Sequence, residues 1–406
     1  MNQFLPLPFL ARAVCALALV ALPACSKKAN PLSTQMVESQ IARCGDASYL
    51  DYADGRLRWS YGTGMELRAY LDVFETYGDT SVFNFARRWY DSMVAENGTI
   101  REYTPERYGS DKVSPGKSLF YLYDKTGEEK YRKAIELVKS QIDGQPRTRA
   151  GAFWFKQVYP HQVWLDGLFL ISPFYAEYAA RYLEGDARRA AFRDIVNGFT
   201  VAHDRCFDPD TRLLRHAWDE SGRMFWCDPA TSGQSFHSWG RALGMYCLGI
   251  LDVLDWLPED FDGRTTLTGY LREICAELPK WADTQAGVWY QVLDQPEREG
   301  NYLEASCSAM FVYTFLKGVR MGYLDAGLLP YARERYADFV RTFVTRDEQG
   351  RINLGPCCSN CGLGGSSNRM GDFAYYISEP VRANDAKAVA PFIWASLEME
   401  RQGSPF

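Results

Sequence analysis

Residues 159–203 read YPHQVWLDGLFLISPFYAEYAARYLEGDARRAAFRDIVNGFTVAH. Apolar residues recur at helical spacing on both sides of Gly185, and only a short turn separates the two runs, so the stretch is a pair of antiparallel helices. The unit recurs along the chain. MELRAYLDVFETYG (65–78) precedes SVFNFARRWYDSMVAE (81–96), and GKSLFYLYDKTG (116–127) precedes EEKYRKAIELVKSQI (128–142). SWGRALGMYCLGILDVLDWLP (238–258) is followed by TTLTGYLREICAELPKWAD (265–283), and EASCSAMFVYTFLKGVRMG (304–322) by LPYARERYADFVRTFV (329–344). Turn markers at Gly78, Gly127, Gly185, Pro258 and Gly322 set a loose period of roughly 50–70 residues, longer than most solenoid repeats. Stretches 32–42 and 387–401 supply a sixth pair, which closes the ring. The expected fold is all-α, an (α/α)6 barrel. An open solenoid shares the repeat but carries more uniform units and polar end caps.

Within each pair the turn is tight, whereas the linkers between pairs, at 97–115, 143–161, 205–235, 284–302 and 346–384, are long and rich in Trp, Tyr, Gly, Asp and Asn. Function belongs at the end of the barrel where the long linkers gather. Composition narrows its class. The 406 residues carry a net charge of −6, which leaves no basic excess for a nucleic-acid backbone. With 47% hydrophobic and 24% charged residues the chain is globular rather than disordered. Aromatic residues reach 15% and His only 4, a balance that favours stacking on flat ligand faces over a His-built metal centre.

The amino terminus reads as an address. Residues 1–24 hold one basic residue, Arg12, and then an apolar run too short to span a bilayer, which is the pattern of an export signal. Leu22-Pro23-Ala24-Cys25 resembles a bacterial lipobox, whose Cys becomes the lipidated first residue. The expected division is therefore 1–24 signal, 25–45 tether and first helix, and 46–406 a single catalytic barrel. The expected location is the bacterial cell envelope, with the membrane reached only through the lipid on Cys25. Nine cysteines follow Cys25; the number is odd, so at least one thiol is unpaired. Cys357-Cys358-Ser359-Asn360-Cys361 invites a zinc reading, but no second CxxC and no nearby His completes four ligands. No metal and no cofactor are expected.

Several linker-to-helix junctions carry chemistry-bearing residues. Asp166, in Trp164-Leu165-Asp166-Gly167, lies beside an aromatic surface that disfavours the charged carboxylate and suits a general acid; it also fits as a plain complement to a helix N-terminus. Asp111, just before the second pair, is a partner carboxylate or an ordinary cap. Trp239 offers a stacking plane and Arg241 a fork for a carboxylate, with core packing the plain reading of both. His216 lies in a segment of strand or turn character, where a lone His is commonly structural. The same two readings hold for the Tyr61 segment and for residues 302–306. No Gly-x-Ser-x-Gly elbow, P-loop or His-Glu-x-x-His occurs, which leaves carboxylate chemistry on a saccharide.

Four blocks, YPHQVWLDGLFLISPFYAEYA, SWGRALGMYCLGILDVLDWLP, GVWYQVLDQPEREGNYLEASCSAMFVYTFLKGVRMGYLD and the C-terminal CGLGG with AYYISEPVRANDAKAVAPFIWAS, together resemble glycoside hydrolase family 105. The resemblance implies an (α/α)6 barrel acting as an unsaturated rhamnogalacturonyl hydrolase, or on related unsaturated uronides, without metal or redox cofactor. It implies that Asp166 is the acid/base, that Asp111 assists it, and that Tyr61, Trp164, His216, Trp239 and Arg241 bind substrate. The chain departs from the family at Phe155, where His is frequent, and at Met245, where Trp is frequent. Both positions touch the expected pocket and bear on which sugar it takes. Rival readings are a family 88 unsaturated glucuronyl hydrolase, a sugar epimerase, which wants more His than this chain has, and a non-catalytic glycan-binding lipoprotein.

Overall fold

Helix-forming stripes broken by glycine turns become six helical hairpins in the computed structural model, which describes residue 1 and residues 30–403. The signal and lipobox readings, with Cys25, lie outside the described residues. Five hairpins follow in chain order: Tyr61–Tyr77 with Thr80–Met93, Lys117–Thr126 with Glu129–Gly144, Leu165–Tyr182 with Gly185–Cys206, Gly240–Leu254 with Gly263–Glu277, and Ala305–Arg320 with Leu329–Phe343. Ala386–Arg401 packs against Leu32–Cys44 and completes the sixth from the two ends of the described chain. Gly78 and Gly127 end their helices at φ 77° and 69°, a left-handed conformation that glycine adopts without a Cβ penalty.

The first helix of each of the five sequential hairpins, together with Ala386–Arg401, forms an inner ring. Leu165–Tyr182 packs on Gly240–Leu254, which packs on Ala305–Arg320; that helix meets Ala386–Arg401, then Tyr61–Tyr77, and Lys117–Thr126 closes the circuit. Burial follows position. Gly240–Leu254 is buried on every residue except Asp252, as expected of a helix surrounded by others. The outer Glu129–Gly144 buries Tyr131, Ala134, Ile135, Val138 and Ile142, a single stripe at 3–4 residue spacing. This is the all-α (α/α)6 toroid expected from the repeat. Three two-stranded ribbons decorate one end: β1 (Gln162–Trp164) with β2 (Ala217–Asp219), β3 (Val344–Arg346) with β4 (Ile352–Leu354), and β5 (Cys357–Cys358) with β6 (Val381–Arg382). Among the described residues no helix is long and apolar enough to cross a membrane.

Glu66, fully buried on the inner Tyr61–Tyr77 helix, accepts hydrogen bonds from Gln40 Nε2 at 3.0 Å and from Tyr70 Oη at 2.7 Å, while its Oε2 has no partner. Burial pushes its carboxyl up to about 8. The folded protein therefore holds a proton that the unfolded chain has lost above its ordinary value of 4.5, and stability falls as pH rises between those two values. Glu66→Gln is expected to flatten that fall, by on the order of a few kcal/mol at pH 8; melting temperatures of both proteins across pH 5 to 9 check it, and parallel curves would disprove it.

Candidate active site

The inner helices run in one direction, so their N-terminal residues converge. Tyr61, Asp166, Arg241 and Lys387, each the first or second residue of an inner helix, line one cavity of about 400 Å3 together with Asp111, Phe155, Lys156, Tyr159, Trp164, Trp239 and Met245. Trp164 and Trp239 occupy N-cap positions, and neither offers a side-chain cap. Two positive helix ends therefore face the cavity without a side-chain cap, although Leu165 N and Gly240 N are each taken by a backbone carbonyl; the remaining end charge favours an anion.

Backbone pairing places the polar groups. β1 and β2 are antiparallel with Trp164 opposite Ala217, and Leu165 N donates to His216 O at 3.1 Å. That register sets His216 Nε2 3.6 Å from Asp166 Oδ1, beyond direct hydrogen-bond range. Both atoms are buried and neither has a hydrogen-bond partner in the protein; Asp166 lines the cavity, whereas His216, expected to bind substrate, is 0% exposed and stands outside the lining. On its other side His216 Nδ1 meets Tyr376 Oη at 2.7 Å. Burial lifts the Tyr376 phenol well above its ordinary range, so it keeps its proton in this contact and fixes the orientation of the imidazole ring.

Asp111, in the short helix Ser110–Val113, pairs with Lys156 Nζ at 3.0 Å. Ser110 N donates to Phe155 O at 3.2 Å and Phe155 N to Gln162 O at 2.8 Å, which links the Asp111 segment to β1. Asp111 and Asp166 thus share the cavity although 55 positions separate them.

Arg241 is 1% exposed and differs from the expected fork. Its Nε donates to Ser306 Oγ at 2.8 Å, and its Nη2 is taken by Glu304, Cys357 Sγ and the Cys358 carbonyl. Only Nη1 lacks a partner, so this side chain offers one donor rather than a bidentate grip. Trp164 is likewise less open than an expected stacking platform: Phe155 lies parallel to it at 4.2 Å, and its exposure is 3%. Half-buried Tyr159, with its ring 5.1 Å from Trp164, presents the freer face of this aromatic wall. Trp239 Nε1 is fixed by Gln291 Oε1 at 3.1 Å. Phe155 and Met245, the two positions of departure, both line the cavity.

Sequence reasoning missed Lys156, Tyr159, Tyr376, Gln291 and the charged knot at Asp51. Asp51 accepts from Ser60 Oγ at 2.7 Å, Arg382 Nη2 at 3.0 Å and Lys387 Nζ at 3.1 Å. Burial opposes its charge, but Lys387, Ser60 and Arg382 overcome that and hold its carboxyl below the usual range. Lys156 and Tyr376 lie inside stretches that sequence reading singles out, but no periodicity marks them.

A second cavity, of about 440 Å3, opens at the other end of the inner helices and is lined by Arg68, Asp72, Asp252, Asp255 and Lys317 and by Lys117, the first residue of Lys117–Thr126, among others. Its charges are already matched: Arg68 with Asp72 at 2.6 Å, Lys117 with Asp252 at 2.5 Å, and Lys317 with Asp255 at 2.6 Å. Unpartnered buried atoms of the lining residues Asp166 and Arg241 mark the first cavity as the candidate site.

Comparison with known proteins agrees with the barrel fold. Residues 32–402 match the family described as Glycosyl Hydrolase Family 88. A solved glycoside hydrolase from family 105 of C. acetobutylicum is 40% identical and superposes with a TM-score of 0.86 over 91% of this chain and 99% of that one. The 24.9 kDa protein in the picA locus of Rhizobium radiobacter is 36% identical over 235 residues, 56% of this chain and 96% of that protein. An unsaturated glucuronyl hydrolase responsible for glycosaminoglycan degradation in Bacillus sp. GL1 shares the fold at 15% identity, with a TM-score of 0.65 over 91% and 95% of the two chains.

Gly240 permits the close approach that seats Trp239 and Arg241. A Cβ there would meet Cys307 Sγ at 2.8 Å and Tyr290 O at 3.0 Å. Gly240→Val is expected to cost about 1–3 kcal/mol through overpacking, read from denaturant melts; unchanged stability would show that the junction has slack.

Proposed function

Because the chain is a glycoside hydrolase that belongs to family 105, within its wider match to Glycosyl Hydrolase Family 88, we propose that it removes a terminal 4,5-unsaturated galacturonyl residue from the oligosaccharides that a pectin or rhamnogalacturonan lyase leaves behind. The observation that carries the reading is the unpartnered buried Asp166 Oδ1, with His216 Nε2 3.6 Å from it, at a cavity mouth lined by the first turns of inner helices. A carboxylate-bearing sugar suits that mouth: two helix N-termini and the Arg241 Nη1 donor favour its negative charge.

The chemistry is addition of water to a vinyl ether rather than displacement between two carboxylates at the anomeric carbon. Asp166, protonated, gives its proton to C4, and positive charge develops across C5 and the ring oxygen. The resulting carboxylate takes a proton from water as that water adds to C5. The C5 hemiketal opens to a ketone and frees the ring oxygen as a hydroxyl on C1. C1 is then a hemiacetal, and it collapses to an aldehyde with release of the remaining saccharide. Asp111, with its charge balanced by Lys156, orients the water; His216, held by Tyr376, packs beside Asp166 and fixes its place at the cavity wall. The aromatic wall of Tyr159, Trp164 and Trp239 packs on the sugar. An unsaturated glucuronyl substrate obeys the same chemistry, because elimination removes the C4 centre by which the two uronates differ; the substrates then differ in anomeric linkage and in the saccharide released, and Phe155 and Met245 line the cavity that meets them.

Asp166→Asn is expected to lower turnover by ~10²–10⁴-fold, measured as loss of the unsaturated uronate absorbance near ~235 nm during incubation with a lyase-derived disaccharide. Hydrolysis that persists in the variant would remove Asp166 from its role. Binding of galacturonyl and glucuronyl disaccharides with neither losing absorbance would favour a glycan-binding protein. The same proposal sets the enzyme at the cell envelope, tethered by lipid on Cys25. Cys25→Ala is expected to move the protein from the membrane fraction to the soluble exported fraction, and an unchanged distribution would refute the anchor.

A further inference from the structure

Cys358 and Cys361 bracket Ser359-Asn360, and their Sγ atoms lie 3.3 Å apart. Both are free thiols, as are the other seven cysteines among the described residues. The hydrolytic chemistry uses neither. Cys361, Ser359 and Asn360 line the candidate active site, and Cys361 is 7% exposed, whereas Cys358 is fully buried behind it. The pair is held from both sides. Cys358 N donates to Glu304 Oε1 at 3.0 Å, and β5 fixes Cys358 opposite Val381. Gln291 Nε2 donates to Cys361 Sγ at 3.4 Å. The two thiols are also unlike one another. The hydrogen bond from Cys361, aided by the Arg241 charge and opposed by burial, lowers the Cys358 thiol below its ordinary value. Burial and the neighbouring Cys358 raise Cys361. A thiolate beside a protonated thiol is the arrangement of a reactive dithiol.

We propose that Cys358 and Cys361 form a redox-active pair that peroxide closes to a reversible disulfide at the wall of the substrate cavity. Peroxide is small enough to enter from the cavity that Cys361 lines. The Cys358 thiolate attacks one peroxide oxygen; the O–O bond breaks, Cys358 becomes a sulfenic acid, and the hydroxide released takes a proton and leaves as water. The Cys361 sulfur then attacks Cys358, the S–S bond forms, the S–O bond breaks, and a second water departs with the Cys361 proton. The two sulfurs together lose two electrons and one peroxide becomes two waters. An external dithiol reverses the change by thiol–disulfide exchange and is itself oxidised.

Closing the bond draws the sulfurs from 3.3 Å to about 2.05 Å, and it removes the thiolate next to Arg241. Both effects reach groups of the site. Gln291, which touches Cys361, also holds Trp239 Nε1, and Arg241 Nη2 donates to the Cys358 carbonyl. The disulfide therefore shifts the cavity wall and alters turnover.

The full-length protein is treated with hydrogen peroxide or with dithiothreitol, the reagent is removed, the protein is unfolded in denaturant and alkylated, and its thiols are mapped by peptide mass. A disulfide linking Cys358 to Cys361, reversed by dithiothreitol while the remaining thiols alkylate, is expected. Cys361→Ser, lacking the resolving thiol, is expected to accumulate a sulfenic acid on Cys358 that dimedone captures, whereas Cys358→Ser yields no adduct at Cys361. Alkylation of both residues after peroxide, or bridging of a different pair, overturns the proposal. This mapping needs no substrate, so it stands or falls apart from the hydrolytic reading. Turnover of oxidised and reduced wild-type enzyme is expected to differ at least several-fold, and equal rates with the disulfide formed would overturn its coupling to the cavity.

Discussion

The parallel course of the six inner helices is the constraint on which the rest depends. Each hairpin pairs an inner helix with an antiparallel outer one, so the first turns of four inner helices, at Tyr61, Asp166, Arg241 and Lys387, meet at one mouth, while Lys117, the first residue of Lys117–Thr126, lines the cavity at the other end. The positive helix ends and the long linkers then fall together, where Asp166, Arg241 and Lys387 stand in first turns around one cavity. The other end collects carboxylates and cations that neutralise one another in pairs. Orientation of the helices thus decides which of two similar cavities has polar atoms to spare for a ligand.

A belt of short backbone links turns that convergence into a defined geometry. It runs from Ser110 to Phe155, from Phe155 to Gln162, across β1 and β2, from His216 to His237, from Gly240 to Gln291, from Gln291 to Tyr302, and from Ala305 to Pro356. Next come β5 and β6, where Arg382 reaches Asp51. Links between linkers, such as Ser110 to Phe155, β1 to β2, Gly240 to Gln291 and Ala305 to Pro356, alternate with links inside one, so the linkers support one another. Asp51 closes the belt as a buried carboxylate kept charged by Arg382 and Lys387. A charge so placed is stable only while its partners stay, and this couples the first linker to the last helix across the seam of the ring.

The site combines satisfied and unsatisfied groups with a clear division of labour. Glu304 accepts from Cys307 N, Ser306 and Cys358 N and pairs with Arg241, so the 302–306 segment serves as a support for the arginine. Gln291 joins Trp239 to Cys361, and Tyr376 orients His216. The atoms left over on the lining residues Asp166 and Arg241 are those aimed at a ligand.

The hairpin repeat, the glycine turns and the position of Asp166 in a first helical turn were legible because helical periodicity and turn chemistry are local, set within three or four residues. The sixth hairpin, formed from stretches at opposite ends of the chain, could be counted for the same reason. Which side chains meet was a different matter. Asp166 and His216 are 50 positions apart, and their approach depends on the register of β1 against β2; the two ribbon strands span three residues each, too short to announce themselves. Lys156 opposite Asp111, Phe155 against Trp164 and the consumption of the Arg241 fork by Glu304, Ser306 and Cys357 arise from how separate linkers cross. Sequence by itself determined the number and direction of the helices, and hence the end of the barrel where chemistry is possible. Tertiary structure alone decided which polar atoms there are spent on one another and which stay free, because hydrogen-bond partnership depends on distances across linkers that no local pattern encodes.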